Sequence, residues 1–204
     1  MNLQLLRCAR LAVCVVALAA LGGCAFGQKV GYSGVKADIE AQGTSTVSVA
    51  THDQRPYVVS GNKKPTFVGL SRGGFGNPFD VNTVSGAPLA DDFSNSISTS
   101  LAARGFKTSV VHLAADESPR AVKEALKTPA DRVVLVTLHE WKSDTFVHTK
   151  LIWNVTVAVY VHDGHELASV PFQGEEPIGG TVQAAFTRKL EEWFSDAKIV
   201  AALK

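Results

Sequence analysis

The chain has 204 residues and three cysteines, all within its first 24 positions: Cys8, Cys14 and Cys24. Everything beyond Cys24 lacks thiols. That excludes a disulfide, a cysteine nucleophile and a thiolate metal site from the bulk of the protein. Stability there must come from burial and hydrogen bonding alone. Charge of one sign is lacking too: 20 Lys and Arg stand against 19 Asp and Glu, for a net +1. A chain so balanced has no electrostatic footprint for nucleic acid or for an anionic membrane surface. It has no GxGxxG fingerprint. The segment from Gly69 to Gly76 lacks the Gly-Lys-Ser/Thr ending of a phosphate loop, so a flexible loop is its simpler reading. Hence we expect no cofactor and no enzymatic activity.

The first 23 residues form a leader. Arg7 and Arg10 supply a short positive region, and Leu11 to Leu21 is almost entirely Ala, Val and Leu. Gly22 and Gly23 then precede Cys24. A positive start, an apolar middle and small residues before the cut make a secretory signal. The uncharged run of 16 residues from Leu11 to Phe26 is short of the roughly 20 a spanning helix needs. Leu21-Gly22-Gly23-Cys24 resembles the lipobox of bacterial lipoprotein precursors. The resemblance implies diacylglyceryl transfer to the Cys24 sulfur, cleavage before it and acylation of the new amine. Two or more acyl chains would give stable anchoring, where one is marginal. Ala25 stands where an Asp would favour inner-membrane retention. The resemblance therefore implies the outer membrane, with the domain facing the periplasm. Removing Arg7 and Arg10 with the leader leaves 18 basic against 19 acidic residues.

Residues 25–44 contain four glycines with little apolar periodicity and read as a tether. A single domain is expected over residues 45–204. It retains every Tyr and Trp of the sequence except Tyr32 and every Phe except Phe26, so core material is ample. Thr46 to Thr51 alternates as a strand. Residues 61–86, with six Gly, two Pro and three Asn, read as a long loop with a short strand near Thr66–Leu70. Pro88 to Arg104 is a predicted helix, with Leu89, Phe93, Ile97 and Leu101 as its apolar stripe. Asp91 and Asp92 favour its positive end and Gly105 stops it. Ser94, Asn95, Ser98 and Thr99 make an uncharged outer face.

Lys107–Leu113 reads as a strand and Ser118-Pro119 opens a short helix. Val133–Trp141 is a predicted buried strand. Val147–His162 and His165–Gln173 flank Asp163-Gly164, the sequence of a two-residue type I′ turn. That turn pairs His162 with His165. It also sets Val159 against Ala168, Val157 against Val170 and Val155 against Phe172, all on one side. Thr181 caps a last helix carrying Val182, Phe186, Leu190, Trp193 and Ala197 inward. The predicted class is α+β: a two-layer antiparallel or mixed sheet with helices packed on one face.

The lipobox at Cys24, the strand running into Asp53-Gln54-Arg55, the Ala103-Arg104-Gly105-Phe106 helix end, the long hairpin and the terminal helix occur in one order. That layout resembles the YajG-like family of small bacterial lipoproteins, over most of residues 45–200. The glycine-rich segment 61–86 is longer than the resemblance leads one to expect. It implies compartment and fold but no functional residue.

Four features bear on chemistry. Opposed imidazoles of His162 and His165 could share a divalent ion, but they stand on an exposed turn without an evident third ligand. Asp91 and Asp92 are adjacent on a helix and diverge. His52-Asp53-Gln54-Arg55 reads either as a recognition site at a strand end or as an Asp–Arg pair with an Asx turn. His139, Trp141, Trp153 and Tyr160 lie on strands and read as core or sheet-face residues. Two functional expectations follow. The first is a membrane-anchored binding or assembly module for an envelope protein, with Phe67, Phe75 and Phe79 among the loop glycines as contact residues. The alternative is a periplasmic small-ligand-binding protein or enzyme, which would need a deep pocket.

Overall fold

The computed structural model describes residues 27–204. The leader and Cys24 lie outside the described residues. Among the described residues eight strands form one mixed sheet, and five helices pack on it. Its axis is β6 (Arg132–Thr145), which pairs antiparallel along its whole length with β7 (Thr149–Val161); β7 in turn pairs with β8 (Glu166–Pro177). The other edge of β6 is shared. Its first half takes β2 (Thr46–Asp53) in parallel, and β2 carries β5 (Lys107–His112). Its last residues take β3 (Phe67–Arg72), also in parallel; β3 carries β4 (Pro78–Thr83), and β4 carries β1 (Lys29–Val30). The sheet therefore forks between Leu138 and Ser143. Bulges interrupt β3, β6 and β8, at Val68, His139 and Leu167. Bulges add twist, and the sheet curls into a half-barrel instead of lying flat.

One sheet face holds Val47, Val49, Val134, Val136, Leu138, Val155, Val157 and Val159. Helix α2 (Leu89–Ala102) covers it with the expected stripe of Leu89, Phe93, Ile97 and Leu101, each at most 1% exposed. Helices α4 (Val182–Phe194) and α5 (Ala197–Leu203) complete the cover, and Asp196 caps α5 where a single terminal helix was expected. The two-layer expectation is corrected on the opposite face. There α3 (Pro119–Ala125) packs Val122 against Ala50 and Leu113, so part of the sheet is covered on both sides. The remaining helix, α1 (Pro56–Val59), is a single turn after β2.

Residues 29–44 are not a tether. After β1 the chain crosses α2 as an extended strap, burying Tyr32, Val35, Ala37, Ile39 and Ala41. The backbone N–H groups of Val35 and Ala37 donate to Ser96 Oγ and Ser100 Oγ at 3.1 and 3.0 Å. Those small hydroxyls take the place of a strand partner, satisfying amides that burial would otherwise orphan. The polar face of α2 is thus turned inward in part: Ser94 Oγ donates to Thr51 Oγ1, and Ser98 Oγ to Thr108 Oγ1. Tyr32 reaches the centre of the core, among the rings of Phe93, Trp141 and Phe186 with centroids 5.1–6.2 Å away. Its hydroxyl accepts from Trp141 Nε1 at 3.1 Å.

The hairpin holds the expected register and a different turn. Val155, Val157 and Val159 do face Phe172, Val170 and Ala168. However, the register shifts beyond Val159, so that Tyr160 pairs with Glu166 and Val161 bonds His165. The loop is therefore three residues, 162–164, with Gly164 at φ 86°. That is the glycine position of a hairpin closed through a bulge. His162 and His165 are not opposed.

Candidate functional site

The segment His52-Asp53-Gln54-Arg55 lands at the fork of the sheet. Gln54 N–H donates to the Leu138 carbonyl, the last bond of β2 to β6, and β3 does not join β6 until Gly69. The Arg55 guanidinium fills the gap. Its Nη1 donates to the carbonyls of Phe67 and Trp141 at 2.7 and 3.1 Å, while Nε and Nη2 grip Asp53 Oδ1 and Oδ2 at 2.8 and 2.6 Å. Arg55 N–H also donates to Asp53 Oδ1, an Asx turn. Arg55 is fully buried and Asp53 nearly so. Such a charge pair survives away from water because every donor and acceptor has a partner. Tyr57 stacks 5.5 Å from the guanidinium and donates to Glu140 Oε1, which also accepts from Trp141 N–H; Glu140 Oε2 accepts from Lys142. Burial pushes the Tyr57 hydroxyl well above its usual range, so it donates and does not ionise. The bonds of this network are spent within the fold.

His52 turns the other way, into a pocket of about 390 Å³ beneath α3. Val122, Leu126 and Leu135 make its apolar wall, Gln54 and Tyr160 stand on its polar side, and Lys123, Lys127 and Asp163 also line it. Gln54 Nε2 donates to the Ala115 carbonyl and lies 2.9 Å from His52 Nε2. An amide N–H must donate there, so the His52 Nε2 lone pair is the acceptor. Burial holds the His52 ring below its usual range, and it is neutral at pH 7. Burial, with Glu166 nearby, pushes Tyr160 up to about 12. The pocket can receive a small, largely apolar group, but its imidazole is already engaged.

The other sequence candidates disperse. Asp91 Oδ1 pairs with His112 Nδ1, and Asp92 Oδ2 accepts from Ser85 Oγ. His139 is exposed at a bulge, and its Nε2 lies 3.4 Å from Thr156 Oγ1. Among the described residues no cluster of three or more metal-binding side chains occurs. The three candidate contact phenylalanines have different fates. Phe67 is buried on β3 beside Tyr57 and is no surface contact; Phe79 is half-buried over Gly73. Phe75 is 96% exposed. The expected long loop is mostly β3, β4 and a tight turn between them, closed by Gly73 N–H to the Asn77 carbonyl. Residues the sequence did not single out join Phe75: Phe146 and Val147, in the turn between β6 and β7, are 56% and 75% exposed. Two adjacent apolar residues in a turn were the signal. Arg72 and Asp144, bonded twice at 2.8 and 2.6 Å, tie the two turns together.

Among the described residues no helix is long and apolar enough to cross a membrane. No family model matches the chain, and no curated protein matches it. Solved structures similar to it include a Xanthomonas campestris protein of family model DUF330, at 13% identity and TM-score 0.48, covering 84% of this chain and 91% of that one. A PelC dodecamer from Paraburkholderia phytofirmans is similar at 13% identity and TM-score 0.48, covering 79% and 92%. The lipoprotein GNA1162 from Neisseria meningitidis is similar at 11% identity and TM-score 0.33, covering 73% and 94%.

Proposed function

We propose that this chain is a YajG-like envelope lipoprotein, acylated at Cys24 and held on the periplasmic side of the outer membrane. There its domain serves as a non-catalytic binding or assembly module for another envelope component. The observation that carries the reading is Leu21-Gly22-Gly23-Cys24 placed after an apolar leader and immediately before a folded domain. The first paired residue, Lys29, follows Cys24 by five positions. The non-catalytic part rests on where the polar groups spend their bonds: Asp53, Arg55, Tyr57 and Glu140 bond one another, and the His52 lone pair is taken by Gln54.

Growing cells on labelled palmitate and weighing the purified product tests it. A labelled polypeptide beginning at Cys24, and an unlabelled Cys24→Ser variant, are the expected results. An unlabelled wild-type chain, or one still beginning at Met1, overturns the reading.

The pocket beneath α3 favours a second reading, a binder of a small apolar ligand. An environment-sensitive apolar dye should then brighten with the wild-type protein and not with Val122→Trp, which fills the space. Equal signal from both proteins rejects it.

A further inference from the structure

We infer that the two turns carrying Phe75, Phe146 and Val147 are a second membrane contact, seated in the interface of the bilayer that holds the Cys24 acyl chains. This inference rests on the acylation proposed above.

Single exposed apolar residues are ordinary, but a group of them at one end of a fold is not. Pairing places these three together. β3 runs parallel to β6 with Ser71 opposite Thr145, so the turn at 73–77 and the turn at 146–148 leave the sheet at the same end. The Arg72–Asp144 pair holds them side by side. The opposite end carries polar His162, Asp163 and His165 in the β7–β8 turn, with Leu167 as a single exposed apolar residue beside them.

The path of the chain says which end meets the membrane. β1 runs parallel to β4, with Lys29 opposite Asn82. Followed toward its beginning, the chain is headed along β4 toward Pro78 and the Phe75 turn. Cys24 lies five positions before Lys29, and Asn77 five positions before Asn82. Either stretch spans at most about 17 Å. An acylated Cys24 at the bilayer surface therefore lies within reach of the level of the two turns, and cannot let the domain drift far from it.

The chemistry of the turns suits the interface. Phe75 stands between Gly74 and Gly76, with no bulky neighbour to keep it from lipid. The adjoining charges are neutralised in pairs, Arg72 with Asp144 and Lys150 with Glu175. Insertion then carries little cost for stripping water from a lone charge. Aromatic and aliphatic tips joined to a covalent anchor give two membrane signals at one end of the molecule.

Depth-sensitive spin labelling of the mature acylated protein in phosphatidylethanolamine–phosphatidylglycerol vesicles tests this. Once the leader is removed, Cys24 is the sole cysteine, and its sulfur is acylated. Phe75→Cys, Val147→Cys and Leu167→Cys can each be labelled at one site, Leu167 being 42% exposed at the far end. The ratio of oxygen to nickel-chelate collisions is expected to be at least about fivefold higher at 75 and 147 than at 167. Equal ratios on acylated protein overturn the inference and leave the anchor standing. A mass spectrum without acyl chains overturns both. Labels that are immobilised, oxygen-poor and broadened by a neighbouring spin show a second copy on the turns, which also overturns it.

Discussion

Arg55 and Asp53 meet through two parallel hydrogen bonds at 2.8 and 2.6 Å, at the point where β2 has left β6 and β3 has not yet joined it. The guanidinium stands in for a missing stretch of strand, capping two carbonyls that the fork would leave unpaired. Removing either partner strands the other charge away from water. Asp53→Asn and Arg55→Met should each lower unfolding free energy by about 3–5 kcal/mol. Denaturant titration reads this directly. An unchanged midpoint with an unchanged slope would show that the pair is dispensable.

Acid should weaken the fold in two separate windows. The His52 ring is held below its usual 6.5 by burial, so the unfolded chain takes up that proton first. Its contribution is full above about pH 6.5 and declines as pH falls. Asp144 is held below its usual 3.8, chiefly by the hydrogen bonds from Arg72. Its contribution is full above that value and disappears as pH drops through the lower folded one. Melting temperature measured from pH 3 to 8 should therefore lose its upper slope in His52→Gln and its lower slope in Arg72→Gln. Parallel curves for all three proteins would contradict both assignments.

Asp92 acts in the opposite sense. Burial raises its carboxyl above the usual range, although the Ser85 hydroxyl bond pulls it back. The folded state then holds this proton longer than the unfolded chain, and stability falls as pH rises through the folded value. Asp92→Asn keeps an acceptor for Ser85 without the charge. It should melt higher than wild type at pH 7 and alike at pH 3. A variant that melts lower at pH 7 would show that the carboxylate has an attractive role in the fold.

Gly69 is where β3 approaches β6 most closely. An added methyl would come 2.2 Å from Ser143 Oγ and 2.5 Å from the Ser143 carbonyl, so the strands must part. Gly69→Ala should cost about 1–3 kcal/mol, whereas Gly74→Ala, which meets nothing within 4 Å, should be silent. Hydrogen exchange along β3 in the two variants separates them. Protection lost equally in both would refute the comparison.

What could be read in the sequence was local. The valines at 155, 157 and 159 fixed the hairpin register because a slip by one residue turns the whole apolar row outward. The turn differs because Asp163-Gly164 also suits a three-residue loop, and a bulge at Leu167, opposite Val159 and Tyr160, absorbs the difference. β3 was legible only as a short strand near Thr66–Leu70, and β4 was hidden behind the turn glycines; the β6 partner of Gly69, Ser143, lies 74 positions away. The strap carried a legible signal in the strict alternation of Val35, Ala37, Ile39 and Ala41 with charged and polar residues. It forms no strand because its amides bond serines on a helix, which no strand pattern announces. The pocket and the joined turns arise from pairings between distant segments, so neither could be read from any one of them.

Tyr32 occupies the middle of the aromatic interior only eight residues after Cys24. Under the proposed anchoring, the domain must condense around a side chain tied within roughly 28 Å of the membrane. Leader removal, acylation and closure of the hydrophobic interior then draw on one short length of polypeptide. Slow maturation of the domain would surface as slow processing of the precursor.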